Sequence, residues 1–369
     1  MELYQAHHQW MNRPADERFT SLLDLNAFCV SVRENSRGKT ISSRALEVRP
    51  VDGDHKALMV VGPNGAPVTP THWSFGQLAG LSNIVPAGAL RKLPAAIAAD
   101  CLNYGLQVVR DIEDIGVLLR KDDAAMVPTL AAATGPNYGR IWNATLTQQL
   151  VDRFGDGVNG DWRVPGVWGK ALDVVTKDNT TLFAGDRDMF VFLTDERNKV
   201  EVPNRRNGLM GTMSRGFFVW NSEVGARKAG IATFFLDYVC GNRIVWNVEG
   251  YQEIAIRHTA SAPDKLVEQV LPAIDKYAKA PMSGIVTAIE QARAKRIGDK
   301  EAVDKFLESR FTKGQAAAIK TAHLTEEQRP IETLWDAVTG TTAYAKTIDW
   351  QDERVKVERQ AGDILQLAA

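Results

Sequence analysis

Two carboxylates, Asp186 and Asp188, stand two residues apart in LFAGDRDMFVFLTDE. Side chains alternate between faces of an extended chain, so both acids point the same way, as in the metal-holding pair of a divalent-cation nuclease. No Glu-x-Lys partner and no identifiable third acid accompanies them, and a solvated turn is the competing reading. His7, His8, His55, His72, His258 and His323 fall into no nucleophile–base pattern. The adjacent His7 and His8 splay to different faces of either a helix or a strand, which is poor geometry for sharing a metal, and His258 reads as the end of a strand. The three cysteines, Cys29, Cys101 and Cys240, form no Cys-x-x-Cys pair, so reduced thiols are expected rather than zinc or a disulfide framework. There is no Gly-x-x-x-x-Gly-Lys-Ser/Thr phosphate cradle. The expectation is a protein without catalytic residues, metal or cofactor.

A different chemistry gathers near the middle of the chain. Arg197, Lys199, Arg205, Arg206, Arg215, Arg227, Lys228 and Arg243 face three acids in the same span, Glu201, Glu223 and Asp237, an excess of five positive charges. They are interleaved with aromatic residues such as Phe217, Trp220, Phe235 and Trp246. Cations on phosphates and rings on bases are how proteins hold single-stranded nucleic acid. Strand alternation must bury about half of those rings, so the charges are either a basic rim on loops or a scatter of solubilising charge. The candidate nucleic-acid contacts are Arg205, Arg206, Arg215, Arg227, Lys228 and Arg243.

These residues need elements to position them. The 369 residues suffice for one large or two ordinary domains, and 44% hydrophobic with 24% charged residues is a globular composition. Lys+Arg total 44 against 45 Asp+Glu, so the net charge of -1 excludes a duplex-coating basic protein. MELYQAHHQWMNRPADERF lacks the apolar run of a signal peptide, and no apolar stretch is long enough to span a bilayer, so a cytoplasmic protein without membrane contact is expected.

Phe19 to about Pro70 reads as a meander of short strands, with Asp52-Gly53-Asp54 as a hairpin turn. Thr71, Pro86 and Pro94 open three short helices, whose Arg91 and Lys92 give a helix-turn-helix outline that an ordinary helical layer also explains. A strand follows at IGVLLRK, then an amphipathic helix between Tyr138 and Phe154, and a glycine-rich loop carrying Trp162 and Trp168. Strand character returns from Thr181 to His258, broken by the polar loop NKVEVPNRRNGLMGTMSR. Beyond Ser261 the pattern is helical, with Pro272 and Pro281 expected to break or kink the first helix. The fold expected is α+β: a mixed, mainly antiparallel sheet body over residues 1–260 with a helical insertion near 71–110, then a helical C-terminal region over 261–369.

Asn221-Ser222-Glu223-Val224-Gly225, the apolar strand after it, VCGNRIVW (Val239 to Trp246) and Ile256-Arg257-His258 together resemble the hallmark block of a phage- and plasmid-associated family, catalogued as domain of unknown function nine-three-two. FGQLAGLSNIVPAGALRKLPAAIAADCLN is similar to that family's second block, and the two imply coverage of roughly residues 20 to 260. One departure stands out: Cys240-Gly241-Asn242-Arg243 replaces the usual Asn-Gly after the cysteine. The resemblance implies a mobile-element origin and a bacterial cytoplasm, and brings no established activity. With the basic span it makes a non-enzymatic DNA-handling protein the leading expectation, a self-associating binder or annealer of single-stranded DNA. A protein-interaction module (counter-defence or virion-associated) and a metal-dependent nuclease are the alternatives.

Overall fold

The computed structural model describes residues 13–109, 114–121, 126–165, 175–202, 211–237, 242–244, 253–281, 283–348 and 351–368. Two sheets and a helical bundle make up the described residues, an α+β architecture. The larger sheet collects β1 (Arg18–Phe19), β8 (Trp162–Arg163), β9 (Leu182–Ala184), β10 (Met189–Asp195), β11 (Val200–Val202), β12 (Gly211–Asn221), β13 (Ala229–Asp237), β14 (Asn242–Ile244) and β15 (Ile254–Ile256), all antiparallel. The smaller runs β2-β6-β7-β5-β4-β3, from β2 (Ser36–Ser42), β3 (Glu47–Val51), β4 (Asp54–Val61), β5 (Pro67–Pro70), β6 (Asp114–Arg120) and β7 (Thr129–Thr134). Its β5–β7 pair is parallel, and its other pairs are antiparallel.

The helices are α1 (Leu22–Glu34), α2 (His72–Ser82), α3 (Ala87–Leu90), α4 (Ala95–Tyr104), α5 (Asn143–Phe154), α6 (Ala262–Lys265), α7 (Leu271–Lys279), α8 (Ser283–Ala294), α9 (Lys300–Glu308), α10 (Lys313–Glu327), α11 (Leu334–Ala345) and α12 (Gln351–Gln366). α1 corrects the expected all-strand meander from Phe19 to Pro70. Its signals were local: Ser21 Oγ accepts from the Asp24 amide at 3.1 Å, Asp24 sits in the first turn and Arg33 in the last. Elsewhere the expected turns hold. Gly53 takes φ 79° between β3 and β4, a conformation that favours glycine, and Thr71 Oγ1 caps α2 by accepting from the Ser74 amide. The expected polar loop from Asn198 to Arg215 contains β11 and the first part of β12, so Arg215 stands inside a strand.

Both faces of the larger sheet are buried along β10 and β12, which is why MFVFL and GFFVW read as unbroken apolar runs. Val191, Leu193, Phe217, Val219 and Ile231 face a core built with α1, α5 and α7, while Phe190, Phe192, Phe218, Trp220 and Phe234 form an aromatic cluster on the other face. The smaller sheet packs on α2–α4 through residues such as Leu78, Leu90, Leu102, Val117 and Leu130, so the helix-turn-helix outline is a helical layer. Arg91 is held inside that layer, donating to the His72 carbonyl at 3.0 Å and lying 5.2 Å from the Phe75 ring.

The helical region does not begin as one unit at residue 261. Ala262, Leu266, Val270 and Ile274 belong to the core of the larger sheet, and a separate helical core starts with α8, after Pro281. That core reaches back to Met213 and Phe235. Its centre is α11, with eleven of twelve residues buried and its apolar and threonine side chains facing neighbours all round.

Candidate nucleic-acid interface at the β12–β13 turn

The turn Asn221–Gly225 follows β12 as its strand leaves the larger sheet, and Asn221, Ser222, Glu223 and Val224 are all buried. The Glu223 carboxylate accepts from Arg120 Nη2 at 2.6 Å and from the Asn143 amide at 2.7 Å, tying β6 of the smaller sheet and the N-terminus of α5 to one side chain. Arg140 donates to the Glu223 carbonyl. The Val224 carbonyl accepts from Trp73 Nε1 at 2.9 Å and Gln77 Nε2 at 2.7 Å, both on α2. Asn221 Nδ2 donates to the Ile141 carbonyl at 2.8 Å, and the Tyr138 hydroxyl donates to the Ser222 carbonyl at 2.8 Å. Ser222 Oγ donates to the Arg187 carbonyl and accepts from the Ala226 amide, which uses its hydroxyl for the turn itself. Gly225 has φ 82°, the left-handed region. The segment is a keystone between the sheets, not a polar site displayed to solvent.

The candidate cations separate on the same criterion. Arg215 is corrected as a phosphate contact. It is 5% exposed, its Nε and Nη2 bind Asp195 at 2.9 Å, and its remaining donors go to the Tyr277, Ala278 and Ala280 carbonyls at the end of α7. A guanidinium there satisfies carbonyls that a helix terminus leaves without intrahelical donors. Arg227 Nε binds Asp188 at 2.6 Å, and its guanidinium lies 5.0 Å from the Phe190 ring centroid. Lys228 is exposed. Arg205 and Arg206 lie outside the described residues, and Arg243 is placed only as backbone, in β14 opposite Leu236.

The acid pair is also resolved. Asp186 is exposed, whereas Asp188 is buried between Arg13 and Arg227. Burial alone would raise the Asp188 carboxyl; the two guanidinium groups outweigh it and hold the group below the usual carboxylate range. An acid committed to two arginines has little left for a cation, and the described residues hold no group of three metal-ligating side chains. Neighbouring Glu17 is pushed up to about 7, chiefly by burial, with Arg13 opposing and Asp186, Asp188 and Asp16 adding to the rise.

Sequence reasoning missed Arg257. β13 and β15 pair Ala229 with Ile256, so the next positions along this antiparallel register, Lys228 and Arg257, leave the ladder side by side at its solvent end, both exposed. Like charges set side by side repel, so the pair is a place where a bound anion would relieve strain rather than add it. The signal was present in Ile256-Arg257-His258, but its register against β13 was not. Behind Arg257, the His258 Nδ1–H donates to the Gly139 carbonyl at 3.0 Å and the ring stacks 4.8 Å from Tyr138. Burial, with Arg140 adding to it, holds His258 below the usual histidine range, so it is a packed neutral ring. No protein-family model, curated protein or solved structure matches the chain.

Proposed function

We propose that the protein is a non-enzymatic, mobile-element type DNA-handling protein that binds single-stranded DNA and self-associates in a bacterial cytoplasm. The observation that carries this reading is the adjacent exposed pair Lys228 and Arg257 at the open end of the β13–β15 ladder. The β13–β15 register sets their backbone positions side by side, so one phosphate can meet both cations. Arg205 and Arg206, which lie outside the described residues, stay proposed nucleic-acid contacts. The test is fluorescence anisotropy with a labelled oligothymidylate across a salt series. Each neutralised phosphate contributes about 0.7 to the log–log salt slope for single strands, so Lys228→Gln/Arg257→Gln lowers the slope by about 1.4. No retained oligonucleotide at low salt overturns the reading.

The alternative, a protein-interaction module, is favoured by one feature. Ile97, Cys101, Tyr104 and Val108 recur at helical spacing along α4 and the turn after it, and Ile97, Tyr104 and Val108 are 50%, 55% and 63% exposed. A stoichiometric protein that survives nuclease treatment and is lost with Tyr104→Glu replaces the DNA reading with this one.

A further inference from the structure

We infer that the open edge of the smaller sheet is a second track for the phosphate backbone of single-stranded nucleic acid. This rests on the reading of the protein as a single-strand binder. β2 pairs with β6 on one side and ends the sheet, so among the described residues its other side has no strand beside it. Residues 37–40 of β2 are exposed, in the order Arg37, Gly38, Lys39, Thr40. Arg37 and Lys39 are two positions apart on an extended strand, hence on one side and about 6.6 Å apart along it. That is the scale of successive phosphates on an extended nucleic-acid strand. Gly38 between them has no side chain to hold a ligand away from the backbone amides.

Arg33, exposed on the last turn of α1, stands just before the strand. Its guanidinium donates to Thr145 Oγ1 at 3.1 Å and lies 5.6 Å from the centroid of the Trp142 ring, which orients the group without neutralising it. Arg37 is fixed in the same way, by the carbonyls of Glu34 at 2.6 Å and Ser36 at 2.8 Å. None of Arg33, Arg37 and Lys39 has a carboxylate partner among the described residues, in contrast to Arg215 and Arg227. Glu34 is exposed beside them, and Asp114 is exposed at the far end of β6 opposite Ser42, so the positive surface is the Arg33–Lys39 half of the edge.

An edge strand is linear, and its donors repeat along one line, which fits an unpaired chain better than a duplex groove. The bland role for such charges is to keep another sheet from adding to the edge. The two roles separate experimentally. Arg37→Gln/Lys39→Gln keeps exposed, polar side chains on the strand, and unchanged circular dichroism is checked first. The expected result is at least a several-fold loss of oligothymidylate affinity, with a salt slope lower by about 1.4, and little change for a duplex of the same length. Photo-crosslinking of wild-type protein to a substituted oligonucleotide is expected to mark peptides within residues 33–44. Wild-type affinity and slope in the double variant, with no crosslink in that span, overturn the inference while leaving the Lys228/Arg257 reading intact. Failure of wild-type protein to bind the oligonucleotide overturns both.

Discussion

Glu223→Gln tests whether the Asn221–Gly225 turn is the keystone between the sheets. The carboxylate is 1% exposed and binds Arg120, whose side chain is 16% exposed, at 2.6 Å. Its other oxygen accepts from the Asn143 amide at the start of α5. A glutamine has one acceptor oxygen for two donors, and its own NH2 must face either the guanidinium or the amide. Removing one partner of a buried ion pair costs about 3–5 kcal/mol, and the partial exposure of Arg120 puts this pair near 3. Loss of a carboxylate at the α5 N-terminus adds roughly 0.5 kcal/mol. The expected total is about 3.5 kcal/mol, read from urea unfolding by linear extrapolation. Arg120→Met in the Glu223→Gln background is expected to recover part of it, because no uncompensated charge then remains. A loss below about 1 kcal/mol, or a loss of DNA binding with stability unchanged, refutes the keystone account and makes the carboxylate a functional group.

Arg215→Lys keeps the charge but cannot bind Asp195 and three carbonyls at once; a loss of about 3 kcal/mol with no change in the salt slope of DNA binding distinguishes a strut from a phosphate contact. Glu17 carries a pKa raised to about 7, so the folded state holds a proton that the unfolded state releases near the ordinary carboxylate value. Stability therefore falls as pH rises from about 4.5 to 7 and levels off above, and Glu17→Gln is expected to flatten that slope in urea titrations across the window. His323 is pushed down to about 4 by burial, and its protonation opposes folding, so stability is lost as pH falls from about 6.5 to 4; His323→Phe is expected to remove this acid sensitivity, read by thermal unfolding at pH 5. A Cβ at Gly216 would meet the Phe234 ring and, at 2.7 Å, the Leu193 carbonyl, so Gly216→Ala is expected to cost about 1–3 kcal/mol in urea unfolding.

Local chemistry determined most of the elements. The Thr71 cap, the Gly53 hairpin, the α5 periodicity and the helix end before Pro281 are short-range effects, so a single sequence carries them, whereas the backbone stays helical from Ala262 to Lys279 through Pro272, where a break or kink was expected. The α+β class follows from their order. α1 was missed because Val30, Ser31 and Val32 look strand-like, although the Ser21 cap and Arg33 terminus favoured helix.

Tertiary structure decided what the charges do. Sequence placed Arg215, Arg227 and Lys228 in one basic span; the fold assigned the first to a helix end, the second to Asp188 and left the third exposed. Their partners lie far along the chain, Asp188 and Ala278 among them, and a charge count has no knowledge of such distances. The same holds for Lys228 beside Arg257, which is a matter of strand register, and for Arg33, Arg37 and Lys39, whose exposure depends on β2 being an edge. An arginine's chemistry is local, but whether it meets a carboxylate, a carbonyl or water is set by packing between distant segments.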